Sequence, residues 1–321
     1  MPFSFGLIFG FVNDMKQKFN NYFKIIKRAA AKYKKDDPIK LAGTTAYFTV
    51  FAVAPIVIII TSVTGLLLGQ EEIQSKLFSE LDTLIGADGT EYVKSIVQNY
   101  QDRDKGIAGT IIGVVIFLIT STTFFTILQN SLNFVWRIRS KPKNNLVKTL
   151  KDRLLSFGLV LSLGFIMLVS LLIDAIMGFV RDFLKDIFED ITILLMEAAD
   201  FILSFGIVWL IFAIIYKYLP DAKIKWKVTW TGAFITTVLF VIGKFLIGLF
   251  IGNTNIGVMY GAAGSLVIIL LWVFYSSMIF FFGAEITHEY AKMYDKEIVP
   301  NEYAVEIEIN EVKEKRETTN N

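Results

Sequence analysis

A chain of 321 residues with 54% hydrophobic side chains, 29 Phe and a mean hydropathy of +0.54 carries more apolar surface than a soluble core of that length needs. Its 32 Lys and Arg nearly balance 30 Asp and Glu, so the formal charge of +2 says little and the placement of charge along the chain becomes the informative quantity. The lack of cysteine excludes disulfides, thiolate metal sites and cysteine nucleophiles, and a single histidine, His288, excludes imidazole metal clusters, so no cofactor, metal or catalytic residue is expected.

Residues 1–41 open with an apolar run, Phe3 to Val12, but the charges that follow it, Lys16, Lys18 and Lys24, stand on the wrong side for an export signal, so the N-terminus is expected to be retained. Phe11, Met15, Phe19 and Phe23 then recur every fourth position, joined by Ile26, with lysines on other faces. That pattern predicts an amphipathic helix. Either it lies in the membrane interface, held in part by anionic lipid headgroups at about 1 kcal/mol per basic residue, or it packs on the rest of the fold.

Crossing about 30 Å of hydrocarbon takes roughly 20 apolar residues as a helix. Six stretches meet that length, at about 42–68, 107–128, 154–180, 191–218, 229–251 and 262–287. Backbone amides in lipid must pair within their own segment, so each is predicted helical, including the β-branched run Ile56 to Val63. Pro55 is expected to kink the first near mid-membrane. Residues 69–106 predict two short helices on the outer side, broken at Gly86 to Gly89, and the charged tail 295–321 predicts disorder. The fold class is therefore an all-α integral membrane protein of six transmembrane helices with an N-terminal amphipathic helix and short extracellular helices.

Orientation follows from the basic residues. Segments 1–41, 129–153 and 217–227 carry twenty Lys and Arg, whereas the alternate connections carry six, which predicts a multi-pass protein of the cytoplasmic membrane with both termini cytoplasmic. Its expected partners are membrane lipids, with no nucleic acid, and self-association stays open.

Charges inside hydrocarbon cost about 2.5–3.5 kcal/mol each on insertion scales and so mark candidate sites. Asp174, Glu197, Asp200 and Lys244 fall in the outer half of the predicted bundle. They read either as the lining of an outward cavity or as residues reaching the headgroups. Glu285 falls at the inner end of the sixth span and reads either as the structural partner of an inward-side base such as Arg137 or Lys227 or as a titratable gate, with His288 one turn on. Small residues, among them Gly232 and Ala233, are expected to let helices approach closely.

Three strings carry a family resemblance: AYFTVFAVAPIVIII at 46–60, YLPDAKIKWKVTWTGA at 218–233, and VMYGAAGSLVIILLWVFYSSMIFFFGAEITH at 258–288. With Pro55, the Leu219–Pro220 entry, the Tyr260–Gly261 pair and the closing Gly283–Ala284–Glu285, the chain resembles the YihY/BrkB family of bacterial inner-membrane proteins over roughly residues 25–292. The resemblance implies a six-helix membrane protein and little more; Pro55, whose kink would free carbonyls for a ligand, joins Tyr260, Gly261 and the buried charges as substrate-pathway candidates. Members have been labelled ribonucleases, but metal-dependent phosphodiester cleavage needs a ligand cluster that this composition lacks. The reading is movement of a lipid-like or other small substrate across or within the membrane. The alternative is a non-transporting scaffold for envelope machinery.

Overall fold

In the computed structural model the described residues are 3–52, 70–101, 107–141, 189–254, 259–260, 263–294, 296 and 298–309, with isolated positions 150, 154, 158, 159, 162 and 166. Helix α1 is Phe3–Lys35, and α2 occupies residues 38–52. The break between them is local chemistry. Asp36 N bonds Tyr33 O at 3.1 Å, Asp37 adopts φ 49°, and Pro38 follows as a first-turn residue whose missing amide costs nothing there. Next come α3 (Gln70–Gln101), α4 (Ile107–Val135), strand β1 (Ile138–Ser140), α5 (Glu189–Tyr218), β2 (Ala222–Lys223) and α6 (Trp226–Gly252). Helix α7 (Gly264–Met293) and strands β3 (Val299–Pro300) and β4 (Ala304–Glu306) complete them.

Three helices among the described residues are long and apolar enough to cross a membrane, over Ala198–Tyr218, Trp226–Phe250 and Leu266–Met293. They correspond to the last three predicted spans. The stretch 107–128 forms most of α4, while 53–68 of the first span and most of 154–180 lie outside the described residues.

Helix α7 is the hub, packing on α1, α3, α4 and most extensively on α6, which in turn packs on α5. Its contact with α6 rests on a reciprocal pair of glycines. A Cβ on Gly232 would lie 1.9 Å from Thr287 Oγ1, and one on Gly283 would lie 1.9 Å from Thr236 Oγ1. Each threonine hydroxyl bonds the glycine one turn earlier on its own helix, Thr236 to Gly232 O at 2.8 Å and Thr287 to Gly283 O at 2.7 Å. The two backbones therefore approach as closely as a missing side chain allows, which is how helices gain dispersion energy where lipid offers no hydrophobic drive to associate. Between α5 and α6 the contact is aromatic, with Trp209 ring centroids 5.0 Å from Trp230 and 5.4 Å from Phe234.

Three other elements donate hydrogen bonds into the backbone of α7. Tyr33 of α1 donates to Met278 O at 2.7 Å, Tyr216 of α5 to Phe280 O at 2.7 Å, and Trp136 after α4 to Ala284 O at 2.9 Å. A carbonyl has two lone pairs, so a helical one can accept a second donor. Burial pushes the Tyr33 phenol pKa up, which keeps the donor protonated.

Two expectations are corrected here. The segment after residue 69 contains one continuous 32-residue helix, α3, rather than two short ones. Its Leu77, Val93 and Val97 cluster with Ile269 of α7, and that burial outweighs the roughly 1 kcal/mol a helical glycine costs. The tail is also not free over its described part. Strand β4 pairs antiparallel with β1 and β3 with β2, while Ile298 and Ala304 pack against the main core. Charge composition favours solvation, but the tail's amides find partners on loop edges near its own start. Residues 310–321 lie outside the described set.

The α5–α6 connection is anchored by Asp221, which is 1% exposed. Gln129 Nε2 donates to one carboxylate oxygen at 3.2 Å, Asn133 Nδ2 to the other at 2.9 Å, and Asp221 N donates to Asn133 Oδ1 at 2.9 Å. Asn301 N of the tail closes on Asp221 O at 3.0 Å.

Substituting Gly232→Ala should destabilise the protein by about 1–3 kcal/mol in a thermal melt, because the new methyl overpacks a close crossing. Adding Thr287→Ala should recover only part, since the methyl would still sit 2.8 Å from the Thr287 Cβ. Asp221→Ala should cost about 2–4 kcal/mol by stranding the buried amides of Gln129 and Asn133, measured by the same melt.

Candidate functional site

The helix face that docks α1 on the hub consists of Ile25, Ala29, Lys32, Tyr33 and Asp36, three of them buried to 5% exposure or less. These positions follow the three- and four-residue spacing of one helical face. The phenylalanine stripe predicted as the apolar face does not make this contact where its side chains are described. Phe23 is 61% exposed and Ile26 42%. Tyr22 extends the docking face, its ring stacked on Tyr290 of α7 at 6.4 Å, while Lys24, Lys27, Arg28, Lys34 and Lys35 are exposed on the other side. The described side chains of α1 thus support the packed reading, with one face on protein and Phe23, Ile26 and the basic residues exposed.

Lys32 brings the charge. Its ammonium lies 2.6 Å from Glu285 Oε1, 3.1 Å from His288 Nδ1 and 3.4 Å from Val135 O. Glu285 has no exposed surface, and among the described residues only the Lys32 ammonium meets its carboxylate. His288 Nδ1 also stands 3.2 Å from Val135 O. One nitrogen cannot both accept from Lys32 and donate to that carbonyl, so the tautomer decides which bond forms.

A second pair lies alongside. Arg137 NH2 bonds Asp36 Oδ1 at 2.7 Å, and Arg137 NH1 reaches Phe134 O at 3.3 Å. Arg137 has φ 59° and closes the C-terminus of α4, where orphan carbonyls favour cations. The acids are deeply buried, at 0% for Glu285 and 4% for Asp36, whereas the cations are 21% and 18% exposed.

The expected partners of Glu285 are therefore corrected: Arg137 pairs with Asp36, and Lys32 takes Glu285. Lys32 was legible as a residue four positions from Asp36 on a face with Ile25 and Ala29, a weaker signal than the phenylalanine repeat that overshadowed it. Among the other candidates, Asp200 is exposed on α5 and Lys244 half-buried on α6, both at the end of that hairpin away from its connection. The backbone of Glu197 belongs to α5. Tyr260 is 53% exposed and takes no part in the Glu285 cluster. Pro55, Asp174, Gly261 and the side chain of Glu197 lie outside the described residues. No group of three metal-ligating side chains occurs among the described residues.

The sequence pattern of the family described as Virulence factor BrkB matches residues 29–307, which includes α1 from Ala29, the ion pairs and both tail strands. A UPF0761 membrane protein of Psychromonas ingrahamii is 26% identical over 288 residues, covering 83% of this chain and 89% of its own length. One of Haemophilus influenzae is 23% identical over 253 residues, covering 77% of this chain and 87% of its own. One of Pseudomonas paraeruginosa is 26% identical over 288 residues, and the chain spans only 63% of that relative's length. No solved structure matches the chain. With a matching pattern that runs from the docking face of α1 to the strands of the tail, this membrane protein belongs to the virulence factor BrkB family.

Proposed function

We propose that the protein crosses the cytoplasmic membrane six times with both termini inside, and that it moves a lipid-like or other small substrate within or across the bilayer. The observation that carries this reading is the buried Lys32–Glu285 pair, which ties a helix with exposed apolar and basic residues to the hub of the bundle. Ionised groups within a membrane bundle are expensive and mark working parts more often than packing. Exposed lysines on α1 suit an anionic headgroup, and exposed Phe23 and Ile26 suit the acyl region beside it. The scaffold alternative expects a tail available to partners, yet residues 298–309 bond the protein's own loops.

Topology is testable by single-cysteine labelling, since the native chain has no cysteine. Ser75→Cys on α3 should react with a membrane-impermeant maleimide on intact cells, and Lys27→Cys only after permeabilisation. Labelling of Lys27→Cys from outside would reverse the orientation.

For transport, vesicles carrying the protein and a nitrobenzoxadiazole-labelled phosphatidylglycerol should lose dithionite protection of the inner leaflet. Replacing Lys24, Lys27 and Lys34 together by Gln should slow that loss roughly a hundredfold, given about 1 kcal/mol per basic residue near an anionic surface. Wild-type vesicles as well protected as empty ones would remove the lipid reading.

A further inference from the structure

The three acceptors around Lys32 come from two helices other than its own. Glu285 and His288 project from one turn of α7, and Val135 O is the last carbonyl of α4, at the negative end of the helix dipole. A carboxylate oxygen, an imidazole nitrogen in its accepting tautomer and a helix-end carbonyl around one point form the donor set of a small cation. The cation present is tethered, and its tether is α1, which docks on α7 through Tyr22, Tyr33 and Lys32 and carries exposed residues on its opposite side. The charges nearby do not fill the same role. Arg137 is engaged by Asp36 and Phe134 O, while Glu289 and Lys292 of α7 lie close enough to influence Glu285 and His288 electrostatically. Besides Lys32, no described residue meets either Glu285 oxygen, so a Glu285 without Lys32 would be a buried charge needing another positive ion.

We infer that Glu285, His288 and Val135 O form a small-cation site, filled in this structure by the Lys32 ammonium and taken by a free small cation when α1 lifts away from α7. The inference deepens the proposed function by naming what compensates Glu285 when α1 moves, and it rests on that reading for the motion alone. The site makes the docking of α1 and the binding of a small cation mutually exclusive, a coupling that needs no contact between the cation and a transported substrate.

The test uses the full chain in lipid nanodiscs carrying Lys32→Ala, which opens the site without requiring α1 to leave. Methylammonium chloride, the closest free mimic of the lost group, is compared with choline chloride at equal ionic strength. Methylammonium should raise the melting temperature of Lys32→Ala saturably, by roughly 5 °C at high occupancy, while choline, too bulky to enter, should not. The wild type should respond to both salts alike. Lys32→Ala/Glu285→Gln should be more stable than Lys32→Ala in choline and should lose the methylammonium response. Equal effects of the two salts on Lys32→Ala, or a response that survives Glu285→Gln, would overturn the site. Should Lys32→Ala be recovered folded only from methylammonium-containing buffer, the site stands; should neither salt recover it while the double variant is recovered, the site falls. Because melting is read without any flux, failure of the transport proposal leaves this result intact.

Discussion

The backbone of α7 is what the other helices are built around. In a membrane, a buried phenol or indole has no water to turn to, and a helix has no unsatisfied backbone group to offer except the second lone pair of each carbonyl. Tyr33, Tyr216 and Trp136 use that lone pair at Met278, Phe280 and Ala284, so three separate elements are held to one helix over about two turns. The same stretch includes Gly283, whose missing side chain admits Thr236. Close approach and directed bonding reinforce each other, because bonds of this length tolerate little separation between the helices.

Electrostatics follows from that geometry. Once α1 is seated by Tyr33, its Lys32 faces the turn of α7 that carries Glu285 and His288, and its Asp36 faces Arg137 at the end of α4. Burying two acids behind two partly exposed cations is a poor way to gain stability, since desolvation offsets much of the attraction. It is an effective way to make the seat of α1 sensitive to anything that competes for either charge. The Asp221 anchor differs in kind. It is met by neutral amide donors and by a tail amide, an arrangement suited to holding a loop in place.

Tail and connections form one further layer. Strands β3 and β4 bond the two connections that precede α6 and follow α4, with Lys141 N to Tyr303 O at 2.7 Å and Ile307 N to Arg137 O at 2.8 Å flanking the ladder. The residue beside the buried Asp36 pair, the loop carrying Asp221 and the end of the hub are thereby linked through a few backbone bonds. The seat of α1 and the pairing of the tail share the Arg137 corner.

Much of this protein was readable from residue order alone: apolar length and the requirement that amides pair within each segment determine helices, as α5, α6 and α7 illustrate. The small residue Gly232 announced a close contact, and Glu285 announced itself as a charge where charges are costly. The partner of Glu285 was not readable, because pairing depends on which face of α1 turns toward α7. That face is chosen by Ile25, Ala29, Lys32, Tyr33 and Asp36 jointly, not by the phenylalanines that dominate the hydropathy pattern. The continuity of α3 and the pairing of the tail were decided in the same way. Local propensity at Gly86 and Gly89, or in a charged C-terminus, is worth about a kilocalorie per residue, and contacts between segments distant in sequence exceed it. Residue order settled what must be helical and buried in lipid; only tertiary packing decided which buried charge meets which, since that depends on rotation about helix axes that periodicity leaves free.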